Sequence, residues 1–209
     1  MTTILNDLGD EYEAMKVLNQ QLLRQKEVLD DLKADDVQRV KIEQLKKRRA
    51  NLWNEYKNNP RGSDREELNW RFRDLTASQQ KELENTILRA EQAERLQQLS
   101  LQYLGLNAFR ELKVIDTLHL TDAQKERIQD LVDGGNLMQS AFGSYVSSDG
   151  SLQAVRKIRE QVKQAAMEKI IQLLDADQLV QWQRLVGRPF QAEFQRRWGG
   201  PEGGPARGR

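Results

Sequence analysis

A five-residue phrase recurs three times along this chain, each time at an expected helix start. It reads Leu75-Thr76-Ala77-Ser78-Gln79, then Leu120-Thr121-Asp122-Ala123-Gln124, then Leu174-Asp175-Ala176-Asp177-Gln178, with a fainter copy at Leu88-Arg89-Ala90-Glu91-Gln92. The phrase has a direct physical meaning. A Thr or Asp at the N-cap accepts a hydrogen bond from an N–H that the first helical turn leaves without a partner. Gln three residues later returns to the N-cap's own N–H, closing a capping box. The preceding leucine folds back on the new helix, as Leu174 would onto Leu179 in a hydrophobic staple. Helices are therefore expected to open at Thr76, Thr121 and Asp175.

Between these punctuation marks the apolar residues keep helical spacing. Residues 3–33 read as one uninterrupted helix, with Leu8, Met15, Leu22 and Leu29 every seven residues and Leu18 and Leu32 in the companion seam position. About 30 helical residues span ~45 Å, a length that needs a second long helix to cover its stripe. Asp35 or Asp36 caps that second helix, which carries Ile42, Leu45, Leu52 and Tyr56 and stops at Asn58-Asn59-Pro60-Arg61-Gly62. Residues 1–60 are thus expected to form an antiparallel helical hairpin, a coiled-coil arm.

Residues 61–187 read as a small helical domain. Ser63 or Asp64 caps a short helix with Leu68, Trp70 and Phe72, and Thr76 opens a long one through Leu83, Ile87, Leu96, Leu99 and Tyr103. Short helices follow with Phe109, Leu112, Ile115 and Leu118 inward, and Gly134-Gly135 ends or kinks the helix begun at Thr121. A helix from Ser151 and another from Asp175 to Gly187 complete the domain. Residues 188–209 start aromatic and end rich in Gly, Pro and Arg, a composition expected to be largely disordered. No segment alternates like a strand, so the expected fold class is all-α.

Composition narrows function by exclusion. Lysine and arginine nearly balance the carboxylates, leaving +1, so no global field points at nucleic acid or an anionic membrane. The chain has no cysteine and a single histidine, His119. Thiolate chemistry is absent, and a lone histidine without zincin spacing is expected at a helix end or loop rather than on a metal. Neighbouring carboxylates such as Asp30-Asp31 and Glu66-Glu67 diverge around a helix instead of converging on a substrate. No phosphate-binding, nucleophile-elbow or dinucleotide phrase occurs. The expectation is a non-enzymatic protein with no cofactor, no metal and no membrane span.

Two patches carry recognition potential. Lys46-Lys47-Arg48-Arg49 is a basic cluster that fans around a helix with only Glu43 nearby in sequence to answer it, so it reads first as a solvated face and second as a polyanion contact. Phe190, Phe194 and Trp198 are spaced by four, one helical face, either packing back on the final helix or docking a partner.

The Leu-Thr-x-x-Gln phrase resembles the LTxxQ-motif (Spy/CpxP-like) proteins, small periplasmic stress chaperones. From residue 86 to 194 the order of elements also looks like uncharacterised exported members from planctomycete-type bacteria. There a stretch like Glu94–Phe109 precedes a literal copy of the phrase, and an element like Trp182, Leu185, Gly187, Pro189 and Phe190 closes the domain. The resemblance implies an all-helical, cofactor-free module that binds other proteins, a client or a second copy in a homodimer, through amphipathic surfaces. A coiled-coil adaptor joined through the N-terminal arm is the alternative, and nucleic acid is not expected as a partner. The resemblance places the protein in the periplasm or otherwise outside the cytoplasm if a signal peptide has been removed. The first eight residues lack a basic-then-apolar leader, which places it in the cytoplasm if the chain is complete as given.

Overall fold

The computed structural model describes residues 11–58, 64–145 and 152–194. All regular structure among them is helical: α1 (Glu11–Leu22), α2 (Lys26–Asp31), α3 (Asp36–Asn58), α4 (Asp64–Glu82), a π-turn (Leu83–Ile87), α5 (Ala90–Leu104), a 3-10 segment (Gly105–Arg110), α6 (Leu112–Leu118), α7 (Asp122–Tyr145), α8 (Leu152–Leu173) and α9 (Ala176–Val186). No described helix is long and apolar enough to cross a membrane.

The chain divides into two compact units, but not at residue 60. The first has its described residues at 11–58, 64–100 and 190–194, and the second is Leu101–Pro189. The coiled-coil arm expected over residues 1–60 is not a separate element, because α1 and α3 both pack on α4 within the first unit. The expected single helix over residues 3–33 is interrupted as well. Gln25 turns extended at φ −88, ψ 126, and α2 starts after it. The doubled apolar pairs Leu22-Leu23 and Val28-Leu29 are all buried. Such pairs widen the stripe beyond a two-helix seam, which calls for burial in a bundle.

The first unit's core runs from Leu22, Val28 and Leu32 through Ile42 and Leu45 to Leu83, Leu96 and Leu99. At its far end Leu52, Tyr56, Leu68 and Phe72 cluster with Trp53 and Leu75 against them. Trp53 stacks on Tyr56 at 5.5 Å while Phe72 meets both rings edge-on. Each such aromatic pair contributes about 0.5–1.5 kcal/mol beyond area burial. Arg95 reaches Asp31 at 2.7 Å with both side chains buried, a pair whose halves tolerate separate removal poorly.

In the second unit α7 and α8 pack together, and α6, α9 and the 3-10 segment complete the core. Gln124, at the start of α7, bonds to the carbonyl of Leu173, at the end of α8, so the two run antiparallel. Phe109 stacks on Trp182 at 4.3 Å amid buried Leu106, Val114, Leu118, Ile128, Val132 and Ile170. Leu112, expected inward, is exposed, and Val114 takes the inward place. Gly134-Gly135 do not end α7, which continues to Tyr145. Gly135 serves close approach: a Cβ there would meet Leu106 Cδ1 at 2.9 Å, whereas one on Gly134 would meet nothing.

The two units share a local plan. Val28, Asp30, Leu32, Asp36, Gln38, Ile42 and Leu45 recur at one constant offset as Val114, Asp116, Leu118, Asp122, Gln124, Ile128 and Leu131. The same offset carries Leu88, Ala90, Gln92 and Leu99 to Leu174, Ala176, Gln178 and Leu185. The backbone follows the sequence. Gln25 and Glu111 are both extended N-caps, and Lys33 and His119 both sit left-handed at φ 51 and φ 48. Ala34 N–H bonds to Leu29 O and Leu120 N–H to Ile115 O, closing matching Schellman ends on α2 and α6.

Replacing Gly134 by Ala is expected to raise unfolding free energy by about 0.5–1 kcal/mol through helix propensity alone. Gly135→Ala is expected to fall below Gly134→Ala, because Leu106 must move. Urea denaturation of the two variants measures the difference.

Candidate functional site

Four helix starts meet in two places. In the first unit Asp35 and Gln38 form a capping box: Gln38 N–H donates to Asp35 Oδ1 at 2.9 Å and Asp35 N–H to Gln38 Oε1 at 3.1 Å. At Arg89 the half that depends on glutamine is present, with Arg89 N–H donating to Gln92 Oε1 at 2.9 Å. Thr121 with Gln124 and Asp175 with Gln178 make two further full boxes.

The glutamines then pair. Gln38 Nε2 donates to Gln92 Oε1 at 2.7 Å, and Gln92 Nε2 donates back to Gln38 Oε1 at 3.1 Å. Gln124 and Gln178 do the same at 2.7 and 3.0 Å. Each amide also donates to the carbonyl ending the helix before its partner's cap. Gln38 reaches Ile87 O, Gln92 reaches Leu32 O, Gln124 reaches Leu173 O and Gln178 reaches Leu118 O. Both donors and both lone pairs of every glutamine are engaged. These groups close helix ends and have no capacity left for substrate chemistry.

The copy at Leu75-Thr76-Ala77-Ser78-Gln79 is a correction to the sequence expectation: Thr76 lies inside α4 and caps nothing. Trp70 to Asp74 contains no glycine or proline, so the helix begun at Asp64 passes straight through. Thr76 Oγ1 donates back to Phe72 O at 2.7 Å and Gln79 Nε2 donates to Leu45 O at 2.9 Å, both buried. The real boundary is the fainter copy, where Leu88 turns extended at ψ 143 and α5 begins.

Leu120 is buried behind its cap, and Leu174 is partly buried. His119 takes the left-handed position ending α6. Phe190 and Phe194 do stack, at 4.5 Å, but not on a helical face, because α9 ends at Val186 and Gly187 adopts φ 61, ψ −157 before Pro189. Trp198 lies outside the described residues.

The basic cluster separates as its spacing on α3 requires. Lys46 pairs with Glu43 at 3.2 Å and Arg48 with Glu82 at 2.5 Å, while Lys47 is exposed. Arg49 turns inward, donating to Gln20 Oε1 and to Thr76 Oγ1 at 3.1 Å, with its guanidinium 6.0 Å from the Phe72 ring centre. It lies on a small solvent-connected cleft, bordered by Arg24, Lys46, Gln20, Gln79 and Leu83. Burial, reinforced by the like charge of Arg24, pulls the Arg49 guanidinium well below its ordinary value, to about 10, so it remains a cation at neutral pH. Burial also lowers Arg24, against the opposing pull of Glu43. Gln20, Arg24 and the Asp35–Gln38 box were not singled out as a site by sequence reasoning. For the box the signal was present in Asp35-Asp36-Val37-Gln38, with Ala34 in place of the usual leucine.

No group of three or more His, Cys, Asp or Glu side chains able to hold a metal ion occurs among the described residues. Comparisons with protein-family models, curated proteins and solved structures each give no match.

Gln124→Ala and Gln178→Ala are each expected to lower stability by about 2 kcal/mol, through a lost cap and orphaned buried partners. The double variant should cost less than the sum by about 1 kcal/mol, since the second deletion finds its partner already gone. A double-mutant cycle in urea measures this coupling. Because Arg49 holds its proton less firmly folded than unfolded, its charge opposes folding below pH ~10, and that penalty fades as pH rises above about 10 toward the ordinary guanidinium range. The stability of Arg49→Gln relative to the parent is therefore expected to fall between pH 8 and pH 11, measured at each pH by urea titration.

Proposed function

We propose that this is a non-enzymatic helical module that holds apolar segments of other proteins, in the manner of a stress chaperone. The observation that carries the reading is the exposed apolar trio Leu137 and Met138 on α7 and Ile158 on α8. Gln124 fixes the α7–α8 register against Leu173. Moving equal numbers of residues down one helix and up the other brings Leu137 level with Glu160, so the trio sits at one height of the hairpin. Exposed apolar groups at one height of a helix pair favour a contact surface over a random scatter. The buried glutamine amides support the same reading, since their hydrogen-bonding capacity is taken up at helix ends. The resemblance to the LTxxQ-motif proteins agrees with it and adds an extracytoplasmic location.

The coiled-coil adaptor reading finds less support. Leu18, Leu22, Leu29 and Leu32, the seam that a partner arm would cover, are buried within the first unit, so pairing through them would require unpacking it.

The full chain at several-fold excess is expected to suppress light scattering by a thermally aggregating client. Combined Leu137→Ser, Met138→Ser and Ile158→Ser replacement should reduce that suppression at least several-fold while leaving the circular-dichroism melting curve nearly unchanged. No suppression by the parent protein would remove the chaperone reading.

A further inference from the structure

The shared plan of the two units supplies an internal control for the cleft beside Arg49. At the constant offset, Gln20, Arg49 and Arg24 correspond to Leu106, Gly135 and Arg110. The π-turn adds one residue to the first unit, so Gln79 corresponds to Ala166. In the second unit this place is filled. Leu106 Cδ1 lies 2.9 Å from where a Gly135 Cβ would stand, and Ala166 Cβ lies 3.9 Å from it. The charge is also answered there, for Arg110 is ion-paired with Asp133. In the first unit the counterpart of Asp133 is Lys47, and polar side chains replace the apolar plug.

The first unit thus keeps an open cleft where the second has Leu106 and Ala166 packed against Gly135. Arg24, Lys46 and Arg49 border it, and Glu43 is the acid that acts on two of these cations, pairing with Lys46 and attracting Arg24. Arg49 has neutral partners, the Gln20 amide oxygen and the Thr76 hydroxyl, and no carboxylate ion pair among the described residues. Gln20 Nε2 and Gln79 Nε2 are committed to the carbonyls of Thr76 and Leu45, which holds the cleft wall in place.

We propose that the cleft lined by Arg24, Lys46 and Arg49 binds a tetrahedral oxyanion of the phosphate type. Guanidinium groups are suited to such an anion because their planar forks donate paired N–H groups to its oxygens. Cations on separate turns of the chain favour a tetrahedral anion over a flat one, since it presents oxygens in several directions. The cleft opens to solvent, so the anion is either free phosphate or the head of a phosphate monoester whose substituent stays outside.

Isothermal titration calorimetry of the full chain with inorganic phosphate, against chloride at equal ionic strength, tests the assignment. Saturable one-site binding is expected, together with a rise in melting temperature at saturating phosphate. Arg24→Gln should weaken binding about tenfold or more, a loss of one cationic contact. Arg49→Gln should do the same, while Arg48→Gln, whose side chain pairs with Glu82 away from the cleft, should leave affinity unchanged. Arg24 sits in the turn between α1 and α2, so its variant keeps the test decisive if Arg49→Gln folds poorly. Titration with glycerol 3-phosphate separates the two sources: tighter binding assigns the site to a monoester, equal or weaker binding to the free anion. Phosphate acting no differently from chloride, or binding that survives both Arg24→Gln and Arg49→Gln, overturns the proposal. Equal losses in all three variants also overturn it, because they would indicate diffuse attraction to the basic face.

Discussion

A glutamine amide offers two N–H donors and an oxygen with two lone pairs, and Gln38, Gln92, Gln124 and Gln178 have all of these engaged by protein groups. Each amide pair ties two helix beginnings to two helix endings. Helix termini are where unpaired backbone groups accumulate, and burying them uncompensated costs about 1–3 kcal/mol apiece. With these ends closed, α2, α3 and α5 can meet around one buried point, as can α6, α7 and α9 in the second unit. The apolar packing is then free to use leucines on every face that turns inward.

The two units carry the same joint with different surroundings. In the second, a tight contact of Gly135 with Leu106 and the stacked Phe109–Trp182 pair make the neighbourhood apolar. In the first, the corresponding ground holds Gln20, Thr76 and Arg49 joined by hydrogen bonds, with Gln79 beside them bonded to Leu45 O. A guanidinium held among neutral partners is a costly interior choice that a purely structural core would replace with methyl groups. The contrast between otherwise similar units is what draws attention to that position.

Much of the helical fold was legible because helix punctuation is local chemistry. Thr121 and Asp175 could be read as caps from the residues around them. Thr76 could not, since its five-residue phrase is a literal match and only the absence of a breaker upstream distinguishes it. The converse held at Leu88, where a degraded copy marks a true boundary because the π-turn has already disturbed the helix before it. Heptad leucines in residues 3–33 suggested a coiled coil, but Leu23 and Val28 beside the seam revealed a wider buried face. The partnership of Gln38 with Gln92 depends on contacts far apart in sequence, which periodicity within one segment does not encode. The inward turn of Arg49 follows from its place on α3 opposite Gln20 and Thr76, again a tertiary fact.

The π-turn at Leu83–Ile87, closed by Leu88 N–H on Leu83 O at 2.8 Å, sets the azimuth of everything that precedes it in α4. One residue in an α-helix corresponds to ~100° of rotation about its axis. Excising a single residue from this bulge would leave the clamp at Gln92 intact, yet it would swing Thr76 and Gln79 a quarter-turn off their partners. The extra residue therefore acts as a phase shifter: it lets a helix anchored by the common joint present a polar edge to Arg49.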